Sequence, residues 1–187
     1  MGMPDLAKRW TREEVLALPD DGNRYELLDG ELLVTPSPRV IHQTAVLALY
    51  DRIQPYVRQH RLGRTCLSPA DLDFRSGQLL QPDLFVYATS RRGPLEWSDI
   101  GIPLLVAEVL SPSTALNDRN RKRRRYQESG VGEYWIVDTD ARLIERWRPN
   151  DERPEIVTER IEWHPADPVL PLVIDLADYF REVWGEG

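Results

Sequence analysis

The stretch from Gln81-Pro82-Asp83 to Ala107-Glu108-Val109-Leu110 holds two apolar runs, 84–88 and 104–110, with the length and the β-branched and aromatic content of strands. A longer segment with Gly93-Pro94 and Gly101 parts them. In the simplest antiparallel register the numbers of paired residues have a constant sum. Asp83 opposite Glu108 then sets Phe85 against Val106 and Tyr87 against Leu104, all on one face. Two carboxylates come to lie side by side at a sheet edge. Close carboxylates repel unless a proton or a cation sits between them, and oxygen ligands of this kind suit magnesium or manganese. The competing reading is a purely structural pair.

The following element carries a second signal. Arg119, Lys122 and Tyr126 are spaced by three and four, which puts them on one face of a helix. That helix follows Glu108 directly through Ser111-Pro112-Ser113-Thr114, so its first turns start near the carboxylate edge. A lysine there is a compact, mobile cation suited to a phosphate or to water bound by a metal. Lys8 and Lys122 are the only lysines among 24 basic residues, which singles out Lys122. Six of the seven residues from Arg119 to Arg125 are basic; the plain reading is a solvated helix face, and even that attracts a phosphate backbone.

Working outward, Thr11-Arg12-Glu13-Glu14 is a capping box that starts a short helix running to about Leu18. Asp29-Gly30 between Arg24–Leu28 and Glu31–Thr35 predicts a tight hairpin. Residues 38–60 have mostly helical spacing, with Pro55 expected to kink or interrupt the last turns. Residues 71–75 read as a strand, Asp118 as the cap of a helix over 119–129, and Gly130 as its C-terminal glycine. Strands are expected over 133–137, 143–148 and 156–163, and a closing helix over 174–183. This order predicts an α/β or α+β domain with a central mixed sheet.

Composition bounds the function. With 187 residues, 41% hydrophobic and 29% charged, the chain is long enough for one domain and can bury a core. No apolar run approaches the roughly 18 residues of a membrane span, and no leader pattern opens the chain, so a soluble, cytoplasmic protein is expected. Cys66 alone can form neither an internal disulfide nor a cysteine zinc cage, and His42, His60 and His164 are scattered, so carboxylates are the expected metal ligands. A net charge of -7 argues against coating nucleic acid by bulk electrostatics, while leaving room for a local basic patch. The tryptophans, including Trp135 and Trp147, read as core or interface residues rather than a base-stacking platform.

The ordered set Arg24-Tyr25-Glu26-Leu27-Leu28-Asp29-Gly30-Glu31, His42-Gln43, Gln81-Pro82-Asp83, Glu108-Val109-Leu110-Ser111-Pro112-Ser113-Thr114, Asp118, Lys122, Tyr126, Gly130-Val131 and Glu133-Tyr134-Trp135-Ile136-Val137-Asp138 resembles the Uma-type restriction-endonuclease group of bacterial proteins, within the PD-(D/E)xK nuclease superfamily. The resemblance spans nearly the whole chain. It implies a restriction-endonuclease-like core over residues 1–187, a central mixed sheet flanked by helices, and metal-dependent hydrolysis of DNA phosphodiester bonds at one sheet edge. Asp83 matches the motif aspartate and Glu108 the motif glutamate, the implied ligands of Mg2+ or Mn2+. The motif lysine belongs two residues after the glutamate, where this chain has Leu110; Lys122 stands where a relocated lysine reaches the same site from the helix.

The remaining candidates keep two readings each. Glu26 adds a carboxylate to the site or is a half-exposed strand residue paired with an arginine. His42 orients substrate or shuttles a proton, or is a hydrogen-bonded residue at a helix end. Tyr126 positions the Lys122 amine or packs in the core, Gln81 touches substrate or caps its strand, and Arg119 is a candidate substrate contact. The expected function is a DNA endonuclease. The alternatives are a catalytically inactive nucleic-acid-binding module of the same fold and a hydrolase for another phosphorylated substrate. A homodimer is expected because cutting both strands needs two sites, with the Trp-rich C-terminal half as its interface.

Overall fold

Phe85 pairs with Val106, and the pairing runs outward through Leu84 with Ala107 and Val86 with Leu105. This is the register expected from the sequence, carried up to a bulge that sets Tyr87 against Pro103 instead of Leu104. The computed structural model describes residues 8–72, 78–89 and 100–186. The two strands so paired are β4 (Leu84–Tyr87) and β5 (Pro103–Val109). They belong to a six-stranded mixed sheet in the order β3-β4-β5-β6-β7-β8, where β3 is Arg64–Leu67, β6 Glu133–Asp138, β7 Leu143–Trp147 and β8 Glu155–Val157. Among the described residues only β5 and β6 pair in parallel, and the helical segment between them makes the crossover that such pairs require.

Each face of the sheet is covered by a separate core. Leu84, Val86, Leu105, Ala107 and Val109 point toward helices α2 (Val40–Gln59) and α4 (Leu176–Trp184) and pack on Ala45, Leu49, Ile53 and Phe180. Phe85, Tyr87 and Val106 point the other way, toward Tyr126 of α3 (Arg123–Glu128) and Leu28 of the hairpin β1 (Arg24–Leu28) and β2 (Glu31–Thr35). Glu108 alternates with Ala107 and Val109, so it shares the second face with Val106. Trp135 and Trp163 lie in the first core and Trp147 in the second, as expected of core residues, which removes them from any dimer interface.

Several elements differ from the expectation, each for a local reason. Helix α2 continues through Pro55 without interruption: one backbone bond is lost there, but Ile53, Tyr56 and Val57 are buried and hold the last turns. The 156–163 strand is two strands, β8 and β9 (Arg160–Trp163), in different sheets; β9 pairs with β10 (Leu172–Asp175). The closing helix starts at Leu176, because residues through Asp175 are held in β10 and the Asp175 side chain accepts from the Asp178 N–H at 2.9 Å. Of the strand expected over 71–75, Leu72 makes only an isolated bridge with Leu80, and residues 73–75 lie outside the described residues. Helix α1 (Arg12–Leu16) carries the expected capping box, and Gly130, at φ 78°, ends α3 as foreseen.

Asp118 is the correction that bears most on the site. It does not cap a helix; it lies within a π-helical segment, Asn117–Lys122, that leads into α3, and is 1% exposed. Bonding from i to i+5 widens the turn, so three residues cover less of it than in an α-helix. Arg119 is thereby turned away from Lys122, while Asp118 comes under it.

Candidate active site

Asp83 stands one residue before β4 and Glu108 on β5, with the Asp83 N–H donating to Glu108 Oε2 at 3.3 Å. Both are buried, 3% and 1% exposed. Asp83 Oδ1 accepts from Arg24 Nη1 at 2.7 Å, and Oδ2 from the Val109 N–H at 2.8 Å and from His42 Nε2 at 3.1 Å. Glu108 Oε1 accepts from Lys122 Nζ at 3.0 Å and from the Tyr126 hydroxyl at 3.2 Å. The lysine and the tyrosine share a face of the helix, as their spacing requires.

Around this pair stand two further buried acids. Glu26 is 1% exposed, not the half-exposed strand residue that was one of its readings; its Oε2 lies 3.0 Å from Lys122 Nζ and its Oε1 accepts from the Gln81 N–H at 2.8 Å. Asp118 Oδ1 lies 3.4 Å from Lys122 Nζ, and neither of its oxygens accepts a hydrogen bond among the described residues. Burial opposes ionisation of Asp83, yet the His42 hydrogen bond and the Arg24 guanidinium hold its carboxyl well below the usual carboxylate range. Burial dominates at Glu108 and raises its carboxyl, with the Asp83 and Asp118 charges adding to the effect against Lys122. Burial lowers Lys122, but Glu108, Glu26 and Asp118 outweigh it and keep the ammonium charged.

The site opens on a cleft of about 620 Å³ lined by Arg24, His42, Gln81, Asp83, Leu110 and Ser111, among others. Glu26, Glu108 and Lys122 lie beneath this lining. His42 Nε2 carries the proton it donates to Asp83, and its buried Nδ1 has no partner among the described residues. Gln81 faces the cleft with its amide donating to Asp71 at 2.8 Å. Thus Asp83, Glu108, Lys122, Glu26, His42, Gln81 and Tyr126 are brought together. Arg119 is not among them: it pairs with Glu145 at 2.7 Å and with Asp138 at 3.0 Å on the far side of the helix. The neighbouring basic residues are paired as well, Arg121 with Glu31 at 2.6 Å and Arg125 with Asp29.

Asp83 Oδ2 and Glu108 Oε1 each accept two bonds and are filled, whereas Asp83 Oδ1 and Glu108 Oε2 each accept one and keep a position open. Among the described residues no group of three or more His, Cys, Asp and Glu side chains forms a ready cage. The two open oxygens are carboxylate donors of the kind a hard divalent cation takes, the rest of its shell being completed by water and substrate oxygens.

Comparison with known proteins then bears on the whole chain. The model of the Uma2 family, described as "Putative restriction endonuclease", matches residues 12–177. The chain belongs to the Uma2 family. The Uma2 chain is also similar to a solved structure from Anabaena variabilis titled as a "putative nuclease belonging to DUF820", with a TM-score of 0.77 and 22% identity over 93% of this chain and 99% of that one. At that identity the likeness concerns the fold, which the two share. No curated protein matches the Uma2 chain in sequence. Among the described residues no helix is long and apolar enough to cross a membrane.

Sequence reasoning missed two residues of this Uma2 site, Arg24 and Asp118. Arg24 stands two residues before Glu26 on β1, so strand alternation puts both on one face, a signal available once Glu26 is suspected. Asp118 and Lys122 are four apart, a spacing that reads equally as an ordinary surface ion pair.

Proposed function

We propose that this Uma2 family member is a divalent-metal-dependent nuclease that hydrolyses DNA phosphodiester bonds. One observation carries the reading: two buried carboxylates lie side by side, Asp83 bordering the cleft and Glu108 beneath it, each with one oxygen that keeps an open position among the described residues. Asp83 through Oδ1 and Glu108 through Oε2 would hold Mg2+ or Mn2+, which when bound supplies Lewis-acid polarisation of a phosphate oxygen and an acidified water. Lys122 and Tyr126 fix Glu108 by occupying its other oxygen. Glu26 and Asp118 in turn hold Lys122, so the relocated lysine acts through Glu108 as a positioning residue. His42, anchored on Asp83 by Nε2, offers Nδ1 as the acceptor for a proton from the attacking water.

The test is incubation of end-labelled single- and double-stranded DNA and RNA with Mg2+, Mn2+ or chelator. Metal-dependent cleavage of DNA is expected; cleavage that chelator leaves intact would refute the metal site. A specific observation favours a second reading: Leu110 stands on the face of Glu108, borders the cleft, and holds the place of the motif lysine. This reading is a nucleic-acid-binding module without activity. Cleavage that appears only in Leu110→Lys would establish it.

A further inference from the structure

We propose that Arg24, rather than Lys122, is the cation that contacts the substrate phosphate. The inference rests on the nuclease reading for the identity of the ligand, a phosphodiester. The Lys122 ammonium donates to Glu108 at 3.0 Å and lies 3.0 Å from Glu26 and 3.4 Å from Asp118, so it is enclosed by three carboxylates. Its side chain is 1% exposed and does not border the cleft. To meet a phosphate it would have to leave three buried carboxylates without their counter-ion. The basic helix offers no substitute, because none of its arginines borders the cleft, and Arg119, Arg121 and Arg125 are paired with acids of β7, the β1–β2 hairpin and the β6 end.

Arg24 is the reverse case. It borders the cleft with a side chain 17% exposed. One nitrogen, Nη1, makes both of its hydrogen bonds, to Asp83 Oδ1 at 2.7 Å and to the Gln81 carbonyl at 3.1 Å. Neither Nε, which is buried, nor Nη2 has a hydrogen-bond partner among the described residues, so Nη2 keeps both of its donors on a guanidinium already fixed in place. A planar donor fork held at the carboxylate that would ligate the cation is suited to a phosphate oxygen at that same spot. Arg24 thereby serves two partners: it orients Asp83 through Nη1 and receives the scissile phosphate through Nη2.

The experiment is the salt dependence of binding to a fluorescent DNA duplex, read by anisotropy in chelator so that cleavage does not interfere. Arg24→Gln alone leaves Asp83 buried without its partner, so the comparison is made in a background that removes this charge: Asp83→Asn against Arg24→Gln/Asp83→Asn, both checked for folding by circular dichroism. Losing one phosphate contact lowers the slope of log K against log salt by about 0.9. That drop is expected in the double variant, with Arg24→Lys in the same background restoring the slope. Equal slopes in the two variants, or no duplex binding by the native chain, would overturn the proposal. A slope change together with a native chain that cuts nothing in Mg2+ or Mn2+ upholds the Arg24 contact and refutes the nuclease reading alone.

Discussion

Position 122 holds an ammonium among three acids, and the balance there decides how the site stands up without a bound cation. Lys122→Met keeps the volume but leaves Glu26, Glu108 and Asp118 facing one another. Removing one partner of a buried ion pair costs about 3–5 kcal/mol. Urea unfolding of the variant is expected to show a loss of that size; a loss under about 1 kcal/mol, typical of an exposed pair, would mean that the cluster is neutralised in another way. At this scale the sequence was readable where chemistry followed from register. Asp83 and Glu108 are neighbours because antiparallel partners have a constant sum, and the Phe85–Val106 pair obeys it. Arg24 was readable only as a residue on the face of Glu26; its bond to Asp83 bridges 59 residues and depends on how the β1–β2 hairpin docks on the sheet.

The π-helical segment and α3 form the element in which expectation and structure differ most. The run of basic residues looks like a phosphate-binding face, and its arginines are turned instead into a clamp. Arg121 reaches Glu31 and the Leu28 carbonyl, Arg125 reaches Asp29, and together they fasten the β1–β2 hairpin, with Glu26 and Arg24 on it, over the sheet edge. A helical-wheel reading assumes α spacing and cannot foresee a π turn. Arg121→Gln/Arg125→Gln is expected to leave the salt slope of DNA binding unchanged, whereas a face in contact with phosphates would lose about 0.9 per residue. The same variant should lose about 0.2–1 kcal/mol per pair, as half-exposed ion pairs do, in urea unfolding. Strand β8 and strand β9 were merged in the sequence reading for a related reason. Both have strand-forming residues, and only the turn between them sends one to the large sheet and the other to β10.

In the molecule as a whole, the site lies where three parts meet: the edge of the six-stranded sheet, the hairpin that brings Arg24 and Glu26, and the start of α2 that brings His42. The sheet and its helices were legible from periodicity, because each face buries its own apolar set. Edge strand β3 was not, since its four residues alternate too briefly to stand out. Asp83 and Glu108 would hold a cation between β4 and β5, and its charge would favour the ionised Glu108 carboxylate that burial opposes. Magnesium or manganese at a hundredfold excess over its dissociation constant is therefore expected to stabilise the native chain by about 2.7 kcal/mol. Asp83→Asn and Glu108→Gln should show no such gain in thermal unfolding; an equal gain in both would place the cation elsewhere. The central claim, that these two carboxylates make the protein a metal-dependent nuclease, is tested most directly by a plasmid-nicking time course in Mg2+ and in Mn2+, with native protein beside folded Asp83→Asn. Nicking by the native protein alone, abolished by chelator, is the expected result. Equal nicking by both proteins, or none by the native protein in either metal, would contradict it.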